Sequence, residues 1–135
     1  MSRSADAGDG RSFQNMTTPA PAGFPTVASE LIARIWRGQT LAAMADEYTK
    51  YLYEEGVCAI AKIPGNRGVQ MLRTIDNGVA DFQVLSYWDS VEAIKLFAGE
   101  DYEKVRSLPD DPKFMIGAAP TVRHFEVVVN HLPQR

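Results

Sequence analysis

The alternation of apolar and polar residues is clearest between positions 81 and 99, where a strand pattern passes without a gap into a helix pattern. Alternate side chains of a strand share one face. One face of this strand is therefore predicted to carry Phe82, Val84, Ser86 and Trp88. Asp89 is predicted to cap the following helix, with Glu92 completing a capping box, and Gly99 is predicted to end it. Trp88 is expected at the mouth of the space between a sheet and its covering helix, which is a plausible place for a small-molecule pocket.

The remaining regular elements follow from similar patterns. Strands are predicted at 31–37, 69–75, 80–88 and 121–130, and helices at 41–54 and 90–98. Gly38 is predicted to end the first strand and Gly56 the first helix. Asn77 and Gly78 are predicted to form a hairpin turn, because this pair readily adopts positive φ angles. Positions 108–119, which hold two prolines, are predicted to be a loop.

The order strand, helix, strand, strand, helix, strand predicts an α+β fold of the ferredoxin-like type, βαββαβ. In this fold a four-stranded antiparallel sheet carries both helices on one face, and right-handed crossovers place the first and third strands centrally. The other sheet face keeps apolar residues, among them Ile35, Leu85, Tyr87 and Phe125. Because soluble monomers rarely expose a large apolar patch, we expect a homodimer through this open sheet face, a dimeric α+β barrel.

Composition divides the 135 residues into three parts. Positions 1–29 are rich in Ser, Ala, Gly, Pro and Thr, and they are predicted to be a flexible N-terminal extension because they bury too little apolar surface to fold. Positions 30–130 are predicted to form the single folded domain, and 131–135 a C-terminal tail. The extension lacks the charged start and apolar stretch of a signal peptide, so a cytoplasmic location is expected.

Charge and cysteine content argue against several function classes. The net charge of −3 provides no basic surface for nucleic acid, and no apolar run reaches the roughly 18 residues that span a membrane. Cys58 is the single cysteine, so no intrachain disulfide or CxxC motif can form. His124 and Glu126 lie on one strand face, but no third ligand is evident, and no metal site is predicted.

The candidate ligand-binding residues lie on the first and third strands. Trp36 and Trp88 are expected to offer stacking surfaces to a flat aromatic molecule. Val84 and Ser86 share the strand face of Trp88, so they are predicted to contact the same ligand. Trp88 as pure core packing remains an open alternative.

The candidate catalytic residues are His124 and Arg34. His124 is the one histidine inside a predicted element, and an imidazole with its usual pKa near 6.5 suits a general base. Arg34 is predicted to stabilise an enolate or phenolate. Two alternatives stay open: His124 as an exposed or hydrogen-bonded strand residue, and Arg34 in a surface or interface ion pair, for example with Glu126.

Four sequence patterns resemble those of one known family. They are IARIWRG at 32–38, PGNRG at 64–68, VLSYWDSVEAIKLFAG at 84–99 and PTVRHFEVV at 120–128. They look like the antibiotic-biosynthesis monooxygenase (ABM) domain family of small dimeric α+β barrels, and most like its small uncharacterised members. The resemblance covers positions 30–129.

The resemblance implies a cofactor-independent monooxygenase that acts on electron-rich phenols or quinols. In such enzymes a tryptophan at the end of the third strand lines the pocket, and Trp88 matches it. Their asparagine four residues earlier and tyrosine six residues later are Val84 and Ile94 in this chain. The resemblance therefore implies that this chain has the aromatic wall and that Ile94 lies in the pocket. It also implies that the asparagine and tyrosine beside the tryptophan are replaced by apolar residues.

Haem-degrading relatives in the family use an asparagine on the first strand, a tryptophan in the second helix and a histidine just beyond it. Here positions 31–37 hold no asparagine, Phe97 stands at the tryptophan position, and 101–108 hold no histidine. A haem site is accordingly disfavoured, no cofactor is predicted, and Phe97 is counted among the ligand-binding residues.

Two functions remain open from the sequence. One is a cofactor-independent monooxygenase for a small electron-rich aromatic of phenol or quinol type. The alternative is a non-catalytic dimeric ligand-binding or accessory protein of the same fold. An enzyme would need Arg34 or His124 to point into the pocket.

Overall fold

The computed structural model describes residues 30–132. Within this range, residues 30–128 form one compact unit, and residues 129–132, which contain no helix or strand, belong to a separate unit. The predicted extension, 1–29, and the last three residues of the predicted tail lie outside the described residues.

The described chain contains five strands and four α-helices. The strands are β1 (Ile32–Leu41), β2 (Asn66–Asp76), β3 (Val79–Trp88), β4 (Met115–Ala118) and β5 (Arg123–Glu126). The helices are α1 (Ala45–Tyr51), α2 (Cys58–Ala61), α3 (Val91–Ala98) and α4 (Asp111–Phe114). A 3₁₀ turn, Ala42–Met44, precedes α1, and a π-helical stretch, Leu52–Val57, joins α1 to α2. The backbone is therefore helical from 42 to 61.

The strands form one antiparallel sheet in the order β2, β3, β1. The outer edge of β1 is shared, because β4 pairs with its residues 38–40 and β5 with its residues 32–35. The predicted α+β, ferredoxin-like class is confirmed, with β1 and β3 central. The strand predicted at 121–130 corresponds to β5 and is shorter than expected. Thr121 lies outside β5 and forms an isolated bridge with Lys104.

The prediction of a loop at 108–119 is wrong, because this segment holds α4 and β4. Pro112 lies in the first turn of α4, where the missing N–H of proline has no partner to lose. The same residue type that suggested a loop thus begins a helix.

Two glycines do not end their elements as predicted. β1 runs through Gly38, where a Cβ would lie 2.6 Å from Cη2 of Trp36, so glycine makes room for the indole beside the strand. Gly56 lies buried inside the π-helical stretch, where a Cβ would lie 3.1 Å from Cδ1 of Leu52. Both glycines allow a close side-chain approach rather than a chain reversal.

The ends of α3 and the β2–β3 hairpin test the turn predictions. The N-cap of α3 is Ser90 and not Asp89, because Ser90 Oγ accepts the N–H of Ala93 at 3.1 Å. Asp89 instead forms an ion pair with Arg67 at 2.7 Å. The hairpin is confirmed, with φ of 52° at Asn77 and 78° at Gly78. Helix α3 ends at Gly99 with φ of 85°, a positive angle that favours glycine.

The core lies between one sheet face and the helices. Its buried side chains include Tyr48, Leu52, Ile60, Phe82, Val84, Trp88, Ala93, Ile94 and Phe114. The predicted apolar face of β3 is confirmed. The opposite sheet face carries side chains that remain partly exposed, including Leu72 at 47 % and Phe125 at 39 %. Whether a second copy covers that face stays a prediction.

Candidate functional site

A cavity of about 240 Å³ lies between the helix-covered sheet face and the helical segment. The central strands provide Arg34, Trp36, Val84 and Ser86. The remaining wall includes Tyr48, Leu52, Glu55, Gly56, Ile60, Leu96, Phe97, Arg106, Leu108 and Asp111. This volume lies just below the roughly 300–1,000 Å³ that is common for ligand clefts, so the cavity suits only a small molecule.

Arg34 brings a buried positive charge to the cavity. Its side chain is only 4 % exposed, and burial lowers its pKa to about 10, which leaves it charged at neutral pH. Nη1 donates to the carbonyl of Tyr102, and Nη2 donates to the carbonyl of Lys104 at 3.3 Å. Among the residues that the structure describes, no carboxylate forms an ion pair with Arg34, so the pairing with Glu126 considered above is not found.

His124 contacts Arg34 but does not line the cavity. The two residues are paired across β1 and β5, and Nη1 of Arg34 lies 3.2 Å from Nε2 of His124. Burial, together with the nearby charge of Arg34, lowers the pKa of His124 despite an opposing effect of Glu103. The structure therefore brings the two predicted catalytic residues together, but of the two only Arg34 lines the cavity.

Phe97 forms an aromatic wall of the cavity, and two guanidinium groups lie near its ring. The guanidinium carbon of Arg34 lies 5.6 Å from the centre of the Phe97 ring, and that of Arg106 lies 5.3 Å from it. Both distances are within the range of cation–π attraction. Arg106 is exposed, so it adds positive charge near the cavity without being buried.

Trp88 lies behind the cavity wall. It is fully buried, and its Nε1 donates to Ser86 Oγ at 2.8 Å. Its ring stacks on Phe97 with the two ring centres 6.0 Å apart. Trp88 therefore positions two residues that line the cavity, Ser86 and Phe97, rather than lining it. Ile94 is likewise fully buried in the core.

Asp111, Tyr48 and Arg106 are cavity residues that the sequence analysis did not identify. Asp111 begins α4 and is only 7 % exposed. Its Oδ1 accepts the hydroxyl of Tyr48 at 2.9 Å, and burial followed by the charge of Asp111 raises the pKa of Tyr48. The Asp-Pro pair at the start of a helix was an available signal for Asp111, whereas no pattern singles out Arg106.

Comparisons with known proteins bear on the fold. No family model matches the sequence, and no curated protein matches it significantly. A Bacillus cereus protein classed with the antibiotic biosynthesis monooxygenases matches with a TM-score of 0.53 and 16 % identity, over 76 % of this chain and 98 % of that one. This chain has the ABM fold.

A second match with this fold is MhuD, a haem-degrading protein of Mycobacterium tuberculosis solved with two haems in its active site. It aligns with a TM-score of 0.51 and 25 % identity, over 74 % of this chain and 98 % of MhuD. MhuD with two manganese protoporphyrins per active site matches similarly, with a TM-score of 0.50 and 24 % identity. These matches confirm the predicted fold.

Among the described residues, no histidine lines the cavity, so no imidazole is placed there to hold a haem iron. In the compact unit, Nε2 of His124 contacts Nη1 of Arg34, and His124 does not line the cavity. In the part of the chain that the structure describes, no group of three histidine, cysteine or acidic residues is arranged to hold a metal ion.

No described helix is both long and apolar enough to cross a membrane.

Proposed function

We propose that this chain is a monooxygenase that needs no bound cofactor and acts on a small electron-rich aromatic of phenol or quinol type. The observation that carries the proposal is the buried guanidinium of Arg34 in a largely apolar cavity, without a carboxylate partner among the described residues. A buried charge is costly unless it is paired. An anionic ligand oxygen would complete this site.

The aromatic walls support a flat ligand. Trp36 lies on the cavity floor and Phe97 on its wall, so a planar ring can pack against either surface. Ser86 adds a hydroxyl to the floor. Such a site holds and orients a planar molecule and excludes water from it, which favours reactions that water would divert.

The reaction proposed is the conversion of a phenol to a quinone by molecular oxygen. The hydroxyl proton leaves first, and the positive charge of Arg34 stabilises the resulting phenolate. The phenolate then gives electrons to oxygen, and a carbon–oxygen bond forms at a ring carbon that carries hydrogen. The resulting peroxide takes up a proton from solvent, which replaces the one that the hydroxyl lost. The ring carbon then loses its hydrogen and the oxygen–oxygen bond breaks, so one oxygen atom stays on the ring and the other leaves as water. The substrate supplies all the electrons, and no further reductant is needed.

The experiment that tests this function is oxygen uptake with naphthols, without added metal or flavin. We expect wild-type protein to consume oxygen and to place one atom of labelled oxygen in the quinone. Arg34→Met should lose most of this activity. Arg73→Met is the matched control, because Arg73 pairs with Asp46 on the surface. Equal turnover by wild type and Arg34→Met would contradict the proposed role of Arg34.

A second candidate is a ligand-binding protein without catalysis. The placement of His124 favours it, because the predicted general base does not face the cavity. Naphthol binding without oxygen uptake would identify this function.

We also propose that the chain forms a homodimer through the open sheet face. Leu72, Leu85, Tyr87 and Phe125 lie on that face according to the strand register. Their exposed apolar surface supports burial against a second copy.

A further inference from the structure

The cavity has a second polar group, Asp111. Its Oδ1 accepts the Tyr48 hydroxyl and its Oδ2 accepts the backbone N–H of Leu108, each at 2.9 Å. A carboxylate has about four acceptor positions. Asp111 therefore keeps capacity for a donor on a ligand in the cavity that it lines.

The neighbours of Asp111 and of Arg34 indicate that the two side chains lie at different levels along the cavity. The Tyr48 ring, whose hydroxyl binds Asp111, packs on Phe82 with ring centres 5.1 Å apart. Phe82 is paired with Gly38 on β1. Gly38 is four residues from Arg34, which is about 13 Å along a strand at roughly 3.3 Å per residue. The side chains of Trp36 and Val84 form the apolar floor between these levels.

Both buried charges lack a charged partner. Within residues 30–132, no cation forms an ion pair with Asp111 and no carboxylate forms one with Arg34. Asp111 is held by two neutral donors, and three of the five N–H groups of the Arg34 guanidinium are used. A ligand that matches this cavity is elongated, with a negative group at one end and a hydrogen-bond donor at the other.

We propose that the ligand is an elongated dihydroxy aromatic: its ionised hydroxyl binds Arg34, and its second, neutral hydroxyl donates a hydrogen bond to Asp111. The inference rests on the proposed function for the oxyanion at Arg34, and it adds the substrate class. A second hydroxyl also donates electrons to the ring, which makes the ring easier to oxidise. Asp111 thereby selects diols over simple phenols.

The test compares three probes by calorimetric titration under argon at one pH: a naphthalenediol with hydroxyls at opposite ends, its monomethyl ether, and the simple naphthol. We expect wild-type protein to bind the diol about tenfold or more tightly than the ether, as expected for a hydrogen bond to a charged group. Asp111→Ala should bind the diol and the ether equally. Asp110→Ala is the matched control, since Asp110 does not line the cavity, and it should keep the preference.

The outcomes separate this inference from the proposed function. Equal binding of diol and ether by the wild type, or a preference that survives in Asp111→Ala, would overturn the ligand class. A preference for the diol without any oxygen uptake would support the ligand class and contradict the monooxygenase. If none of the probes bind, both are overturned. Should Asp111→Ala fail to fold, Asp111→Asn keeps the side-chain volume and is expected to reduce the preference, because its acceptor is uncharged.

Discussion

Arg34 and His124 face each other on neighbouring strands, with Nη1 of Arg34 3.2 Å from Nε2 of His124. A guanidinium has donors and no acceptor, so Nε2 must be the acceptor and the imidazole must be neutral. His124 therefore helps to hold the side chain of Arg34, which also lines the cavity. Protonation of His124 would replace this hydrogen bond with repulsion between two cations.

The first prediction concerns pH. The folded pKa of His124 lies below its usual value of 6.5, first because of burial and then because of Arg34. The unfolded chain then binds more protons than the folded chain in the range between the two pKa values. Stability from this group is fully present above pH 6.5 and is lost as the pH falls through the folded pKa. Unfolding by denaturant at several pH values measures it.

The matched variant for this pH prediction is His124→Gln, which cannot titrate. The stability of His124→Gln should lose this pH dependence between pH 6.5 and the folded pKa, while other groups continue to act in both proteins. Identical pH profiles for wild type and variant would show that folding does not lower the pKa of His124.

The second prediction separates the two tryptophans. Trp88→Phe should lower the free energy of unfolding by about 1–2 kcal/mol, less than the roughly 3–5 kcal/mol lost when a whole buried ring is removed. Trp36→Phe should change stability less, because Trp36 is only partly buried and lines the cavity. Naphthol binding should be weakened more by Trp36→Phe than by Trp88→Phe, because Trp36 lines the cavity and its replacement removes stacking area. Similar stability losses in both variants would contradict this division of roles.

The third prediction concerns Gly38. A methyl group at this position would meet the Trp36 indole and would lie 2.9 Å from Sδ of Met115. Gly38→Ala should therefore displace Trp36 into the cavity and weaken naphthol binding, as well as lower the melting temperature. Gly99→Ala is a useful comparison: a Cβ there meets nothing within 4 Å, so any loss comes from its positive φ alone. Naphthol affinity should be unchanged in Gly99→Ala.

The fourth prediction concerns assembly. Leu72→Asp places a charge on the open sheet face at a residue that is already 47 % exposed in the single chain. The fold should persist, while a dimer through this face should dissociate, because burying an unpaired charge is costly. Sedimentation at micromolar concentration measures the change. A wild-type protein that sediments as a monomer would exclude the dimeric barrel.

The parts of the fold that the sequence predicted depend on local patterns. The alternation along β3 and the Asn77-Gly78 turn are properties of neighbouring residues, and both are present as predicted. Gly38 was misjudged because its role depends on the Trp36 ring and on Met115, which is distant in sequence. Pro112 was misjudged because a proline can begin a helix as well as interrupt one.

The candidate site was predictable only in part, for the same reason. The phase of β3 placed Val84 and Ser86 on one face, as found, whereas the sequence left open whether Arg34 on β1 points into the pocket. Trp88 shares that face, yet Phe97 stacks on it, and no strand pattern reports that packing. Asp111 joins the site through Tyr48, which lies 63 positions earlier in the chain. Contacts at this separation depend on the tertiary fold.

The most direct test of the central claim, that Arg34 stabilises a substrate oxyanion in the cavity, is an absorbance titration of a bound naphthol under argon. An opposite charge within about 4–6 Å lowers a pKa by roughly 1–3 units. The naphthol bound to wild-type protein should therefore ionise at least about one unit below its value in free solution. Bound to Arg34→Met, it should ionise at or above the solution value. A naphthol that binds to the wild type in the cavity and ionises at its solution pKa would contradict the claim.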